Sequence, residues 1–270
     1  MSEDKANNRY RGRIAPTPSG FLHLGHIRTF RKAWGRAKQA RGQLVLRMDN
    51  LDFARCTTRF FDACIEDIEG MGISWDEGPD IGGDFGPYAQ KMRSDIYLSV
   101  LRKLLESDLI YPCMKSRKEI SSAGLMNING DEYLYPQHFR PLNDQWKKNE
   151  FPGAVNWRFA TPWEQEVSFI DQKMGKVDFR VGQEFSDFLV WRKDGFASYE
   201  LASVVDDFLM KITEVVRGED LLISSARQCL LFDALGWNRP DFFHCGLVLG
   251  ADGKKLSKST RTLPRLFSTP

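Results

Sequence analysis

The chain has 270 residues, of which 42% are hydrophobic and 27% are charged, a composition typical of a folded soluble protein. The formal net charge of +2 gives no global basic signature, so we expect any nucleic-acid contact to come from a local patch. Five cysteines without a C-x-x-C pair argue against a disulfide framework, and no apolar run approaches the roughly 18 residues of a membrane span. We therefore expect a cytoplasmic protein that does not contact a membrane.

Strands and helices alternate in the first part of the chain. The predicted elements are a strand at 10–15, a helix at 24–40, a strand at 43–49, and helices at 58–71 and 88–107. Because neighbouring parallel strands need a crossover connection, this alternation predicts a parallel sheet with helices packed on it.

The alternation stops after residue 107. Residues 113–153 are polar and contain several glycines and prolines, and two short strands are predicted after them, at 154–159 and 167–171. The strand–helix pattern returns near residue 188, where Ser224 is expected to cap a helix. We predict three parts: the first half of an α/β domain (1–107), an α+β insertion (108–190), and the second half of the domain with a short tail (191–270).

Two histidines stand at the start of the first predicted helix. His23 and His26 follow a loop shaped by Pro16, Pro18 and Gly20. A helix N-terminus favours anions, and two imidazoles there can donate hydrogen bonds to phosphate oxygens. Taken alone, such histidines are more often surface or capping residues.

A lysine-rich loop follows the last predicted strand. It reads Lys254-Lys255-Leu256-Ser257-Lys258-Ser259 and comes after a turn at Asp252-Gly253. Flexible lysines in a loop of this kind suit a triphosphate, which they contact as movable point charges. A lysine pair alone is usually only a solvated surface feature.

Several charged residues lie where predicted strands end. Arg13, Asp49, Arg217 and the lysine loop all fall at or just beyond such ends. In open α/β sheets, ligands bind at the carboxyl ends of the strands. The sequence therefore predicts an α/β fold, a Rossmann-like parallel-sheet nucleotide-binding domain interrupted by an α+β insertion.

The two signals together resemble a known family. His23-Leu24-Gly25-His26 and Lys255-Leu256-Ser257-Lys258-Ser259 are similar to the two signature sequences of class I aminoacyl-tRNA synthetases. The opening Arg13-Ile14-Ala15-Pro16-Thr17-Pro18-Ser19-Gly20 and the segment Arg47-Met48-Asp49-Asn50-Leu51-Asp52 resemble two blocks of the glutamate-specific members. Segments 194–207 and 213–221 resemble two further blocks, so that the resemblance covers roughly residues 10–260.

The resemblance implies roles for individual residues. Those implied to bind glutamate are Arg13, Ala15, Thr17, Asp49, Tyr199 and Arg217. Arginines suit the two carboxylates of glutamate, and an acidic residue suits its ammonium. Asp49 stands where the family usually has glutamate, which shortens that side chain by one methylene.

The nucleotide side of the implied site uses both signatures. Its residues are His23, Gly25, His26, Lys255, Ser257 and Lys258, of which the two histidines and two lysines are the implied catalytic residues. The implied cofactors are ATP and Mg²⁺. In this family the carboxylate of the amino acid attacks the α-phosphorus of ATP, and pyrophosphate leaves. Because that carboxylate is already ionised, the reaction needs positioning and charge stabilisation, and no nucleophile–base pair is expected.

A zinc site often found in the insertion of this family is degenerate here. Cys113 and Tyr135 match two of its four ligand positions, whereas Lys115 and Phe139 occupy the others. One thiol and one phenol cannot complete a tetrahedral zinc site, even with His138 nearby. We therefore expect no zinc and no other protein-bound metal.

Chain length selects a branch within the resemblance. The sequence continues for about eleven residues after the lysine loop. We therefore expect no anticodon-binding half, and in this the sequence resembles the glutamyl-queuosine tRNA(Asp) synthetases. The implied partners are glutamate, ATP and the queuosine-bearing anticodon arm of tRNA(Asp), bound by a monomer. Candidate basic contacts are Lys115, Arg117, Lys118, Lys147 and Lys148.

Two alternatives remain open at this point. The same scaffold could activate an amino acid for another acceptor, such as a carrier protein or a small molecule. A non-catalytic relative that only binds nucleotide or tRNA is the other alternative, although the intact histidines and lysines argue against it.

Overall fold

The computed structural model describes residues 9–142, 146 and 151–247. Its strands are β1 (Arg11–Ile14), β2 (Gln43–Leu46), β3 (Ile110–Cys113), β4 (Asn156–Phe159), β5 (Glu166–Asp171), β6 (Gly175–Arg180), β7 (Phe188–Trp191), β8 (Glu214–Gly218) and β9 (Asp241–Cys245). Its α-helices are α1 (Leu24–Gln39), α2 (Thr58–Gly70), α3 (Ser94–Glu106), α4 (Arg117–Ala123), α5 (Tyr199–Leu209) and α6 (Leu222–Ala234). Within these ranges, no helix is both long and apolar enough for a bilayer crossing.

The main sheet has six strands in the order β2-β1-β8-β9-β5-β6. The first four strands and the β9–β5 pair are parallel, and only the β5–β6 hairpin is antiparallel. All four residues of β1 are buried, as expected for a parallel strand covered on both faces. The predicted α/β, Rossmann-like fold is therefore confirmed.

A second, three-stranded sheet is antiparallel, in the order β3-β4-β7. The return of the α/β pattern was expected at β7, but β7 pairs with β4 in this small sheet. Conversely, β5 and β6, which fall inside the predicted insertion, extend the main sheet next to β9. The three-part division of the chain at residues 107 and 190 stays a prediction.

Helix α1 follows β1 and packs on the main sheet. Its buried face consists of Phe30, Ala33 and Ala37, which share a core cluster with Ile14 of β1 and Leu46 of β2. The helix begins at Leu24 because His23 caps it, and this anchors the N-terminus of α1 beside the end of β1.

Helix α6 begins earlier than predicted. Its N-cap is Leu221, which makes no side-chain cap hydrogen bond, and Ser224 lies within the first turn. The Ser224 hydroxyl instead donates to Glu200 Oε1 on α5 at 2.8 Å. The Ser224 side chain, which the sequence predicts to be a helix cap, thus makes a tertiary hydrogen bond instead.

A cluster of buried charges joins β2, α3 and α5. Asp206 is fully buried and accepts hydrogen bonds from Arg93 Nε at 2.6 Å, Gln90 Nε2 at 2.9 Å and the Tyr97 hydroxyl at 2.8 Å. Arg47 Nε lies 3.7 Å from the same carboxylate. Each charge in this cluster is compensated by opposite charge and hydrogen bonds, which buried ions require.

Replacing Asp206 should therefore be costly. We expect Asp206→Ala to lower the free energy of unfolding by about 3–5 kcal/mol, because Arg93 and Arg47 would lose a buried countercharge. The matched control is Asp233→Ala, which removes an ion pair whose side chains, Asp233 and Arg239, are 50% and 32% exposed. Its cost should stay below about 1 kcal/mol. Urea unfolding of both variants checks the difference, and equal losses would contradict it.

Candidate active site

A cavity of about 480 Å³ opens at the carboxyl ends of the parallel strands. It is lined by residues from the ends of β1 and β8, from the segments that follow β1, β2, β8 and β9, and from the first two turns of α1 and the start of α5. Nine predicted site residues line it: Arg13, Ala15, Thr17, His23, Gly25, His26, Asp49, Tyr199 and Arg217. The structure thus brings these residues together, although their individual roles stay predictions. Lys255, Ser257 and Lys258 lie outside the described residues.

One wall of the cavity is the N-terminus of α1. The His23 ring accepts a hydrogen bond from the Gly25 N–H at Nδ1 (3.2 Å), and the His26 ring accepts one from the His23 N–H at Nδ1 (3.1 Å). An imidazole that accepts at Nδ1 carries its proton on Nε2 when it is neutral. Both rings are therefore held in the tautomer whose Nε2–H can donate to an anion.

Gly25 leaves room for the His23 ring in this arrangement. A Cβ at residue 25 would lie 3.0 Å from His23 Cε1 and 3.1 Å from His23 Nδ1, closer than side-chain carbons normally approach. The first turn of α1 also contains no acidic residue. Steric access and the partial positive charge of the helix terminus therefore both favour a bound phosphate here.

The cavity lining also includes two buried arginines in different environments. Arg13 Nε lies 3.2 Å from Asp207 Oδ1, and Arg13 Nη1 donates to the Val216 carbonyl at 3.0 Å. Burial lowers the pKa of Arg13, and Asp207 opposes this effect. Arg217 has no such carboxylate partner: its Nη2 donates to Ser225 and Gln228, and its buried Nε and Nη1 have no hydrogen-bond partner among the described residues.

Asp49 supplies negative charge at the edge of the cavity. It is 6% exposed and accepts hydrogen bonds from Arg47 Nε (2.7 Å) and Nη2 (3.3 Å). Burial raises the pKa of Asp49 to about 6, although the neighbouring Arg47 opposes that shift. The carboxylate is thus ionised at neutral pH and lies close to its protonation range.

Some lining residues were not predicted as site residues. Asp220 lies directly after β8, in the Arg217-Gly218-Glu219-Asp220 segment, and lines the cavity with Gly246 and Leu247 after β9. A Cβ at residue 218 would lie 2.3 Å from Asp220 Oδ1, so that a side chain there would displace the Asp220 carboxylate. The position of Asp220 just beyond a strand end was the signal that could have identified it.

The residues of the degenerate zinc site lie outside this cavity. Cys113 Sγ accepts a hydrogen bond from Arg158 Nε at 3.4 Å, and the Tyr135 hydroxyl donates to the Phe139 carbonyl at 3.2 Å. A guanidinium at the thiol opposes a cationic metal there by charge. Among the described residues, no group of three or more histidine, cysteine or acidic side chains could hold a metal ion.

The sequence is similar to tRNA synthetases. Residues 9–266 match the family described as tRNA synthetases class I (E and Q), catalytic domain. The chain is 41% identical over 251 residues to a glutamyl-Q tRNA(Asp) synthetase from Symbiobacterium thermophilum, covering 92% of this chain and 77% of that protein. It is also 37% identical to a glutamate–tRNA ligase from Natranaerobius thermophilus, of which it covers 52%.

The structure agrees with these comparisons. It is similar to the crystal structure of a glutamate tRNA ligase from Elizabethkingia meningosepticum in complex with its amino acid, with a TM-score of 0.79 and 32% identity. The match covers 93% of this chain and 52% of that one, so the chain spans about half the length of the glutamate–tRNA ligases it matches. By sequence and by fold, the chain belongs to the class I tRNA synthetases of the E and Q group.

Proposed function

We propose that this ligase activates glutamate with ATP, without needing tRNA, and transfers the glutamyl group to the queuosine base of tRNA(Asp). The observation that carries the proposal is the cavity itself. Two buried arginines and a buried carboxylate line it together with a helix N-terminus that carries two imidazoles. That arrangement fits an amino dicarboxylic acid on one side and a polyphosphate on the other.

The glutamate half of the proposed site uses six residues. In it, Arg13 and Arg217 attract the two carboxylates, Asp49 binds the α-ammonium, and the side chains of Thr17 and Tyr199 with the backbone at Ala15 complete the wall. Of these two arginines, only Arg217 has guanidinium N–H groups that are buried and without a hydrogen-bond partner within the described part of the chain. It is therefore the residue best prepared to receive a substrate carboxylate.

The nucleotide half combines His23, Gly25 and His26 with Lys255, Ser257 and Lys258. The α-carboxylate of glutamate attacks the α-phosphorus of ATP, a C–O–P bond forms, and the bond to the β-phosphate breaks to release pyrophosphate. Imidazole and lysine donors stabilise the charge on the phosphoryl oxygens during this step. Mg²⁺, bound through phosphate oxygens and water, supplies further charge neutralisation.

The acceptor half of the proposal rests on the relative from Symbiobacterium thermophilum, which shares 41% identity over most of both chains. The acceptor attacks the glutamyl carbonyl, and AMP leaves. Arg117 and Lys118 are exposed at the start of α4 and could contact phosphates, whereas Lys115 pairs with Glu119 at 3.4 Å. We further propose a cytoplasmic monomer that binds the anticodon arm.

Glutamate activation is tested by ATP–pyrophosphate exchange without tRNA. We expect glutamate-dependent exchange, and we expect Arg217→Gln to raise the glutamate KM about 10- to 100-fold, since a charge-assisted hydrogen bond would be lost. The KM for ATP should stay within about twofold, because Arg217 lies on the amino-acid wall. Arg239→Gln, which changes an arginine paired with Asp233 outside the cavity, is the matched control. Exchange with another amino acid but not with glutamate would contradict the proposal.

The ionisation of Asp49 predicts a pH dependence. Because burial raises its pKa to about 6, the carboxylate that would hold the substrate ammonium becomes protonated as the pH falls through 6. At saturating ATP, kcat/KM for glutamate should fall about tenfold per pH unit below that value. Asp49→Asn should show a low kcat/KM that is nearly constant between pH 5 and 7. A wild-type profile as flat as that of Asp49→Asn would remove Asp49 from this role.

The acceptor is tested with isolated anticodon stem-loops. We expect a queuosine-bearing stem-loop of tRNA(Asp) to accept labelled glutamate at least about 100-fold faster than the same stem-loop carrying guanine, because the attacking group belongs to the modified base. Whole tRNA(Asp) with and without queuosine serves as the second pair of substrates. Equal labelling of both stem-loops, or labelling only at the 3′ end of whole tRNA, would favour a glutamate–tRNA ligase instead.

A further inference from the structure

A chain of buried hydrogen bonds leads from Arg217 away from the cavity. Arg217 Nη2 donates to Ser225 Oγ at 2.8 Å, and Ser225 Oγ lies 2.8 Å from His244 Nε2. His244 Nδ1 lies 2.7 Å from Asp171 Oδ2, which also accepts the His244 backbone N–H at 2.9 Å. This series of hydrogen bonds therefore connects α6, β9 and β5 to Arg217 in the cavity lining.

The protonation of His244 fixes the direction of these hydrogen bonds. Ser225 and His244 are fully buried and Asp171 is 1% exposed. Burial, together with the positive charge of Arg217, lowers the pKa of His244 to about 4, so that the ring is neutral at pH 7. A neutral ring beside Asp171 carries its proton on Nδ1, and its Nε2 accepts the Ser225 hydroxyl proton.

This direction matters at Ser225, whose hydroxyl has one proton and two competing acceptors. The Leu221 carbonyl lies 3.1 Å from Ser225 Oγ on the same helix. When His244 Nε2 accepts the proton, the lone pairs of the Ser225 oxygen are directed toward its remaining donor, Arg217. The tautomer of His244 thus determines which acceptor takes the Ser225 proton, and with it the orientation of the oxygen that accepts from Arg217.

A second contact fixes the other hydrogen of Arg217 Nη2. Gln228 Oε1 accepts it at 2.8 Å, and Gln228 Nε2 in turn donates to Glu200 Oε2 at 3.0 Å. With both hydrogens of Nη2 held, the plane of the guanidinium is set. Arg217 lines the cavity, and its Nε and Nη1 groups are buried and lack a hydrogen-bond partner among the described residues.

We propose that Asp171, His244 and Ser225 form a positioning relay that orients the Arg217 guanidinium to receive a substrate carboxylate. The three residues do not touch the substrate; they act through Arg217. This inference rests on the proposed function, since it assigns the substrate carboxylate to Arg217. A purely structural role for the same residues would change the stability of the protein without a selective effect on glutamate.

The test is Ser225→Ala in the full chain, assayed by glutamate-dependent ATP–pyrophosphate exchange. We expect the glutamate KM to rise about tenfold, the value for one lost hydrogen bond to a charged group, while the ATP KM and kcat stay within about twofold. The matched control is Ser186→Ala, which removes a buried hydroxyl that accepts the Tyr135 N–H at 2.6 Å outside the cavity. It should lower the melting temperature without changing either KM.

A double-mutant cycle tests the connection to His244. His244→Gln should raise the glutamate KM in the wild-type background and have little further effect in Ser225→Ala, because the relay is already interrupted there. If Ser225→Ala does not fold, Ser225→Cys, which nearly conserves the side-chain volume, is assayed in its place. Its glutamate KM should rise, but by less than the rise of about tenfold expected for alanine.

The outcomes separate the two proposals. A wild-type protein without glutamate-dependent exchange would overturn the proposed function. Normal exchange in the wild type, with an unchanged glutamate KM in Ser225→Ala and Ser225→Cys, would overturn the relay alone. A parallel rise in the KM values for ATP and glutamate, or additive effects in the cycle, would also overturn it.

Discussion

The fully buried guanidinium of Arg47 lies among three carboxylates, and the geometry of the site depends on it. It contacts Asp49 and Asp207 at 2.7 Å each and Asp206 at 3.7 Å. Burial alone would lower the pKa of Arg47, but the three carboxylates raise it well above its ordinary value. The cation is therefore permanent, and it ties the loop after β2 to α5. Removing it would leave two or three buried negative charges without their main countercharge.

The two arginines of the cavity, Arg13 and Arg217, differ in their electrostatic environment. Although burial would raise the pKa of Asp207, Arg13 and Arg47 together hold it below its usual range. Arg13 is thereby partly neutralised before any ligand arrives. Arg217 is held by a neutral hydroxyl and a neutral amide instead, so its charge is not offset by direct contact with a carboxylate. The cavity lining thus contains one arginine in direct contact with a carboxylate and one whose hydrogen bonds within the described residues go to neutral groups.

Local sequence patterns predicted the parts of the fold that depend on local physics. The α/β alternation, the start of α1 after His23 and the strand ends that carry Arg13 and Arg217 follow from periodicity, capping and turn chemistry. Local patterns could not predict to which sheet the β5–β6 hairpin belongs. The two strands of a hairpin form backbone hydrogen bonds with each other, so the hairpin can join either sheet. Helix α6 starts before Ser224 for a similar reason, since a contact with Glu200 replaced a local cap.

The hydrogen bond between Asp171 and His244 also could not be predicted from local sequence patterns. These residues are 73 positions apart in the chain, and only the pairing of β5 with β9 brings them together. By contrast, Arg13, Asp49 and Arg217 could be predicted to lie near each other because parallel strands present their carboxyl ends at one edge, and the signature sequences and the family resemblance pointed to the other six. The lysine loop lies outside the described residues, so its predicted place in the site is untouched by this comparison.

The reciprocal cap formed by His23 and His26 has an evolutionary consequence. Each ring uses Nδ1 to hold the first turn of α1, and this same contact turns Nε2–H into the group available to an anion. Helix folding and assembly of the anion site are therefore one event with one set of bonds. If the proposed function holds, selection for a stable helix start and selection for phosphate recognition act on the same two side chains. A replacement at either position is consequently judged by both requirements at once, which leaves few acceptable residues there.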